Sequence, residues 1–348
     1  TATAEHFEKA MALVGADPNV DSVVVIYIPL FLTEVDQVAA AIARGAGAVP
    51  QDKPVLSVLL SSRGAPEAIA GGPRGPLPSF RFPEDAARAL ARAERYRRWR
   101  ERPRGSVFRL ERFAEATIRA VVERVLATSP DPQWLAFADV VTILQAAGLR
   151  TAYGEVVALD EATDAAERIG YPVVLKAVVP GLLHKTDVGG VVTGVFSRAG
   201  VAEALEEMSA ALRTHGWALE RVLVQRQVAG GIEAFIGVAS DPTFGPLLVC
   251  GLGGVLVELL RDVTYRLTPV TDMDAREMVE RLRTAPLLEG YRGTVPADKE
   301  ALVDAIQRVS AIVELVPELR EMDINPIKVL EPGHGVVVLD ARIRLGPV

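Results

Sequence analysis

The feature that most constrains this chain is a lysine that closes a short apolar strand. Val173, Val174 and Leu175 form an aliphatic, β-branched run, and Lys176 follows directly. Such a run reads as a buried strand, so the fold must present an ammonium at a strand end. The loop beyond carries His184, Lys185, Thr186 and Asp187, then the adjacent glycines Gly189 and Gly190 before Val191. Two cations next to glycine amides that no side chain covers suit a polyphosphate. The spacing is not the GxxxxGK[ST] that opens a helix in P-loop proteins. A different nucleotide fold is implied.

Composition narrows the class. At 348 residues the chain has room for two domains, and 49% hydrophobic residues suffice for real cores. No apolar run approaches the ~20 residues of a membrane span, and no signal-peptide pattern is present. The formal net charge of −7 argues against nucleic acid as a partner. The one basic stretch, Arg88 to Arg104, is interrupted by Glu94 and Glu101 and reads as a solvated helix face. A single cysteine, Cys250, within Leu247–Cys250, excludes an intrachain disulfide and a cysteine metal site. It fits a reducing, cytoplasmic setting. The chain opens Thr-Ala-Thr-Ala without methionine, so it is expected to be a piece of something longer.

Strands and helices alternate along the sequence. Residues 22–29 are continuously apolar, as in a strand covered on both faces. An Ala-rich helix over about 33–46 follows, with Thr33 as its N-cap, then strands at 54–60 and 79–82. Pro83, Glu84 and Asp85 start a long helix with proline and acids in its first turn. This order predicts a small parallel sheet wrapped by helices over residues 1–102. A helical linker spans 103–131 and ends at Ser129-Pro-Asp-Pro132. The remainder, 132–348, is mixed α/β. Strands are expected near 155–158, 172–178, 190–196, 221–228, 232–239 and 246–250, and a closing hairpin joins 324–330 to 335–342.

Three further constellations carry chemistry. Arg221–Val228 runs as a strand into Gly230-Gly231 and then Glu233. Gln225, Arg226, Gln227 and Val228 would form a hinge offering backbone groups to a base edge, and Glu233 could accept from ribose hydroxyls. A plain hairpin turn with a surface glutamate is the competing reading. In the closing hairpin, Asp323 and Asn325 share a strand face by period two and Asp340 lies on the partner strand. Oxygen ligands converging this way suit Mg²⁺, although a satisfied strand end would look the same. Third, Cys250-Gly-Leu-Gly-Gly254 lacks the full GxGxxG spacing and reads as a tight turn. Glu258, Asp262 and Arg266 lie downstream, and Arg266 is a candidate phosphate ligand. His6, His215 and His334 sit in polar or turn contexts. His184, among lysines and glycines, could stabilise or accept a phosphoryl group.

In this order the motifs resemble the NDP-forming acyl-CoA synthetases of the ADP-forming acetate–CoA ligase type, distant relatives of succinyl-CoA synthetase. The resemblance rests on Gly170-Tyr-Pro-Val-Val-Leu-Lys176, His184–Val191, Val224-Gln225, Gly230–Glu233, Asp241–Pro246, Gly251–Gly254, Arg266, Asp323–Pro326 and Leu339-Asp340. It implies an ATP-grasp domain over 132–348, preceded by a flavodoxin-like subdomain over 1–102. By this resemblance Lys176 and the His184–Val191 loop hold ATP or ADP phosphates, Gln225–Val228 the adenine and Glu233 the ribose. Asn325 and Asp340 would ligate Mg²⁺ with Asp323 close by, and His184 aligns with a proposed transient phosphate carrier.

The family's full reaction also uses a CoA-binding domain and a main phosphohistidine domain, and no histidine here matches the latter. The expectation is therefore an incomplete acid–CoA ligase that binds nucleotide and Mg²⁺, with CoA held mainly by domains on the same polypeptide or a partner subunit. Association between copies of the chain is a further expectation. The synthetase-like portion of a protein lysine acetyltransferase and a non-catalytic nucleotide sensor are the alternatives.

Overall fold

Residues 2–28, 35–60, 64–107, 110–129, 131–182, 185–253 and 261–347 are described by the computed structural model of the chain. The chain divides into two compact units, Thr1–Pro103 and Arg104–Val348.

In the first unit, β1 (Val23–Tyr27), β2 (Val55–Leu59) and β3 (Ser79–Phe80) form a parallel sheet in that order. The helices Ala4–Ala16 and Val35–Gly47 cover one face, with Met11, Val38 and Ile42 packed against Val23, Val25, Val55 and Leu59. The helix Pro83–Glu101 begins with the expected proline and acids. It meets the other face through Ala86, Ala89 and Leu90 against Leu56, Val58 and Phe80. That contact reaches β2 and β3 only. Val24 and Ile26 on the edge strand β1 are consequently 38% and 46% exposed, so the strand expected to be covered on both faces is covered on one. The arginine-rich helix is indeed a solvated face: Glu94 pairs with Arg97 and Arg98, and Arg97 also with Glu101. The N-cap expected at Thr33 lies outside the described residues.

The second unit contains two sheets. After a two-residue strand, β4 (Gln133–Trp134), comes a four-stranded antiparallel sheet. It is made of β5 (Gly154–Ala158), β6 (Val173–Val178), β7 (Val191–Val195) and β8 (Arg221–Arg226), in spatial order β5-β8-β6-β7. The helices Ala162–Ile169 and Arg198–Thr214 close one face of it. Ile169, Met208 and Leu212 pack there on Val173, Leu175, Val222 and Val224. Ser197 caps the second helix by accepting from the Gly200 amide at 3.1 Å.

The larger sheet is antiparallel. It comprises β9 (Ile232–Asp241), β10 (Gly245–Leu252), β11 (Val263–Leu267), β12 (Leu319–Val329), β13 (Val336–Val338) and β14 (Ala341–Leu345), with β4 at its edge. The order is β11-β10-β9-β12-β14-β4, and β13 also pairs with β12. Helices Glu115–Leu126, Phe137–Ala146, Asp272–Glu280 and Lys299–Leu315 share its core through Ile118, Ile143, Met278 and Ile306. The stretch expected to be a helical linker is thus more than a connector. Its helix, Glu115–Leu126, buries Ile118, Val121, Val122 and Val125 in this core. Arg119 of the same helix is clamped by Glu318 at 2.8 and 3.0 Å.

The closing hairpin is richer than expected. Strand β12 begins at Leu319 and, besides β9, serves two further partners, β14 along Leu319–Ile324 and β13 along Ile327–Val329. Its register against β9 shifts between Ile324 and Ile327, which places Asn325 at the irregularity. Asp340 falls in the short break between β13 and β14.

Candidate functional site

A cleft of about 690 Å³ opens between the two sheets of the second unit, a volume suited to a ligand of nucleotide size. The smaller sheet supplies one wall through β6 and β8, and the larger sheet supplies the other through β12 and the segment around Asp340.

Strand period explains how Lys176 comes to face it. In β6, Val173, Leu175 and Ala177 are buried in the helix-covered core. Val174 and Lys176, on the alternate face, line the cleft. Burying a valine or leucine side chain contributes about 1.5–3 kcal/mol, and a one-residue slip would exchange the two faces. The register is therefore firmly set. Lys176 is only 6% exposed. Its Nζ donates to the Leu339 carbonyl at 2.7 Å. Burial holds its pKa below the ordinary lysine value; Asp340 opposes that shift and Lys185 adds to it. A hydrogen bond involving a charged group offsets about 1.5–3 kcal/mol, whereas desolvating an ammonium costs several. The fold bears a net cost to keep this cation at the cleft.

The opposite wall provides oxygen ligands. Asp323 on β12 lies directly across from Arg342 on β14, and the guanidinium donates to its Oδ2 at 3.0 Å. Asp340 takes Lys185 at 3.3 Å through Oδ2 and the Ala341 amide at 3.0 Å through Oδ1. The Asn325 amide donates to the Asp340 carbonyl at 3.0 Å, tying the two strands together beside the β12 irregularity. Among the described residues no group of three acidic, histidine or cysteine side chains is gathered for a metal. The donor set here is two carboxylates and one carboxamide, all lining the cleft. That set fits Mg²⁺, which takes oxygen ligands and completes its shell with water and phosphate. Both carboxylates already attract a cation, so positive charge is stabilised where the metal would sit.

The segment expected to form the base hinge is braced rather than bare. The Arg226 and Gln227 amides donate to the carbonyls of Tyr153 and Pro172 at 2.8 and 3.0 Å. The Gln225 side chain, 3% exposed, donates to the Ala152 carbonyl at 3.3 Å, and the Gln227 Oε1 accepts from the Gly194 amide at 2.7 Å. The Val228 carbonyl accepts from Lys328 at 3.0 Å. Expected backbone groups of this hinge are thus partly spent, yet Gln225 to Val228 and Glu233 all line the cleft.

The structure brings together Lys176, Lys185, Thr186 and Val191 from the loop region, the four hinge residues with Glu233, and Asp323, Asn325 and Asp340. It does not bring Arg266. That guanidinium on β11 is held at 3.4 Å by Asp274 and 2.7 Å by Glu277, both on the helix Asp272–Glu280, and it is not among the cleft-lining residues. The glycines behave differently from expectation too. The Gly189 amide donates to the Thr186 carbonyl and the Gly190 amide to the Lys185 carbonyl, so both N–H groups shape the turn. At Gly190 a Cβ would meet the Lys185 carbonyl at 2.8 Å, which explains glycine there. Asp262 serves as a cap, accepting from the Arg283 and Thr284 amides. His184, Gly254 and Glu258 lie outside the described residues.

Two cleft residues were not singled out from sequence. Lys328 alternates with buried Ile327 and Val329, and Arg342 alternates with buried Ile343. That period-two alternation beside the Asp323–Asn325 motif was the available signal. With them the cleft carries five cations, Lys176, Lys185, Arg226, Lys328 and Arg342. Four carboxylates oppose them, Asp187, Glu233, Asp323 and Asp340. A polyanion accompanied by a divalent cation matches that mixture.

Comparison with known proteins places this geometry. A family model described as an ATP-grasp domain matches residues 126–345. Acetate–CoA ligase [ADP-forming] I of Archaeoglobus fulgidus is 34% identical over 99% of this chain and 49% of the relative. The beta subunit of acetate–CoA ligase [ADP-forming] II of Pyrococcus furiosus is 43% identical over 54% of this chain and 80% of the subunit. Among solved structures, dinucleotide-forming acetyl-coenzyme A synthetase 1 of Ca. Korarchaeum cryptofilum, in complex with coenzyme A, Ca-AMPCP and HgCl+, is similar with a TM-score of 0.60 and 34% identity. The match covers 65% of this chain and 99% of that one. The chain spans about half the length of the curated relatives that it matches from end to end.

Proposed function

From a chain that belongs to the ATP-grasp family, in the branch of the ADP-forming acyl-CoA synthetases, we infer the nucleotide- and Mg²⁺-binding part of an acid–CoA ligase. The overall reaction is acid + CoA + ATP giving acyl-CoA + ADP + phosphate, with the phosphoryl group carried on a histidine. The single observation that carries this reading is Lys176, a buried ammonium with a backbone carbonyl as partner, facing the Asp323–Asn325–Asp340 oxygen set across one cleft. In this reading 1–102 would be a flavodoxin-like subdomain and 132–348 the ATP-grasp domain, and the ATP-grasp match over 126–345 supports the second.

Phosphoryl transfer asks the protein chiefly for positioning and charge neutralisation. Lys176, fixed by its strand, would neutralise phosphate oxygens in a site where water is scarce and the interaction correspondingly strong. Lys185, on the loop, would move from Asp340 to the nucleotide. Gln225–Val228 would hold the base and Glu233 the ribose hydroxyls. His184 is assigned to the transferred phosphoryl group, and Gly189 and Gly190 to the shape of the loop rather than to direct contact. Asn325, Asp340 and Asp323 would hold Mg²⁺, which would supply positive charge to offset that of the phosphates.

CoA and the acid would be bound mainly by CoA-binding and phosphohistidine domains of the same polypeptide or a partner subunit. Two relatives of Pyrococcus furiosus are named as beta subunits, which supports that division of labour. A cytoplasmic setting and self-association belong to the same proposal. Among the described residues no helix is long and apolar enough to cross a membrane.

The test is reconstitution. The chain alone should not form ATP from acyl-CoA, ADP and phosphate. Mixed with the separately expressed N-terminal half of the Archaeoglobus fulgidus ligase, it should do so in a Lys176-dependent manner. Turnover by the chain alone, or a reconstituted activity indifferent to Lys176→Ala, would overturn the reading.

A further inference from the structure

We propose that Arg342 is a phosphate-binding residue of this cleft, supported by the Trp134 ring and held on Asp323 until a divalent cation takes that carboxylate. This inference rests on the nucleotide reading above and deepens it.

Three observations converge on Arg342. Its position is fixed: Ile343 and Leu345 are 1% and 0% exposed and anchor β14, so Arg342 must emerge on the opposite, cleft-lining face. Its partner is itself a cleft residue. Asp323 lies directly opposite in the β12–β14 register, 3.0 Å away, and both side chains stay about 30% exposed. Its plane is supported from the neighbouring strand, because the Arg342 Cζ sits 5.5 Å from the centroid of the Trp134 ring. Arg344 flanks the same ring at 6.0 Å and pairs with Trp134 in the β14–β4 register.

A guanidinium lying over an aromatic face keeps its N–H edge available for in-plane hydrogen bonds. Here that edge is given to Asp323. A divalent cation carries twice the charge of a guanidinium and competes for the same carboxylate oxygens. When it does, Arg342 loses this carboxylate but keeps the Trp134 support, and its fork is matched to phosphate oxygens. No bond is made or broken in this exchange. Metal and nucleotide would thereby reinforce one another: without metal, Asp323 occupies the guanidinium, and without the guanidinium, metal-bound nucleotide lacks one of its clamps. The Lys185–Asp340 pair on the same cleft offers a parallel exchange.

The experiment uses the full chain, MgCl₂, ADP and intrinsic fluorescence together with calorimetric affinity. A fluorescence change dependent on Trp134 should require MgCl₂ and ADP together, and it should vanish in both Trp134→Phe and Arg342→Gln. Arg342→Gln should weaken MgADP binding by about tenfold or more, the worth of one charge-assisted bond, and weaken metal-free ADP binding by less. Arg342→Lys keeps the charge without the fork and should fall between the two, which secures the test should the glutamine variant fold poorly. MgADP bound with wild-type affinity by folded Arg342→Lys and Arg342→Gln proteins would overturn the assignment while leaving the nucleotide reading intact. Failure of the wild type itself to bind MgADP would overturn both.

Discussion

Lys176 and Arg266 are two cations carried on strands, and each looks from sequence like a phosphate ligand. The structure treats them in opposite ways. Lys176 is buried, and its ammonium donates to a backbone carbonyl, that of Leu339. Arg266 is met by Asp274 and Glu277 from a helix packed beside its strand. A cation whose neutralising carboxylates come from the packed scaffold has its charge spent on the fold. A cation buried at a cost without a full ion pair is poised for a ligand that brings the negative charge. Arg342 stands between the two cases, because its carboxylate is one that a metal can claim.

The sharpest break in this comparison should come at Lys176. Lys176→Ala should lower MgADP affinity about 100-fold, the scale of a charge-assisted contact in a dry site. At MgADP near 100 times its Kd, the wild type should gain about 2.7 kcal/mol and melt about 5 °C higher or more. The variant should show no such gain.

Next in size is Asp340→Asn. It should cost about tenfold in MgADP affinity, since one carboxylate ligand is lost, while metal-free ADP binding should not weaken, because Lys185 is released from the pair. Equal losses with and without metal would reassign Asp340 from the metal to the loop.

Arg266→Gln should act on the fold instead. It removes one cationic partner from Asp274 and Glu277, which keep Thr271 and Arg281, and should cost about 1 kcal/mol of stability, read as a lower melting temperature with MgADP affinity preserved.

The smallest effect belongs to the scaffold pair Arg119–Glu318. The hydrogen bond from Arg119, ahead of opposing desolvation, holds the Glu318 carboxyl below its ordinary 4.5. A carboxylate depressed in the native state stabilises the fold above its unfolded pKa, and loses that contribution as pH falls through the native value. Glu318→Gln should therefore melt lower at pH 7, by about 1 kcal/mol for a partly screened pair. Its melting curve should converge with that of the wild type as the pH drops below the native carboxyl's range.

Much of the cleft lining was legible because its signals are local. Val173–Lys176 carries its burial and its charge within one strand, and Asp323, Asn325 and Asp340 declare themselves by spacing near a turn. The small parallel sheet of the first unit was legible from the order of apolar runs and capped helices. What escaped depends on partners that the local sequence does not name. Arg266 could not be read correctly without knowing that Asp274 and Glu277 dock beside it. The open face of β1 was hidden because an apolar run shows the same pattern whether one face or both are covered. Gly189 and Gly190 were read as anion-binding amides, but their donors turn inward to Thr186 and Lys185. Arg342 and Lys328 were within reach of a strict period-two reading of their strands.

One measurement tests the central contrast most directly: calorimetric titration of MgADP into wild type, Lys176→Ala and Arg266→Gln side by side, each first shown to be folded. The account predicts metal-dependent binding in the wild type and in Arg266→Gln with matching affinity, and binding about 100-fold weaker in Lys176→Ala. Wild-type affinity in Lys176→Ala, or a loss confined to Arg266→Gln, would contradict it.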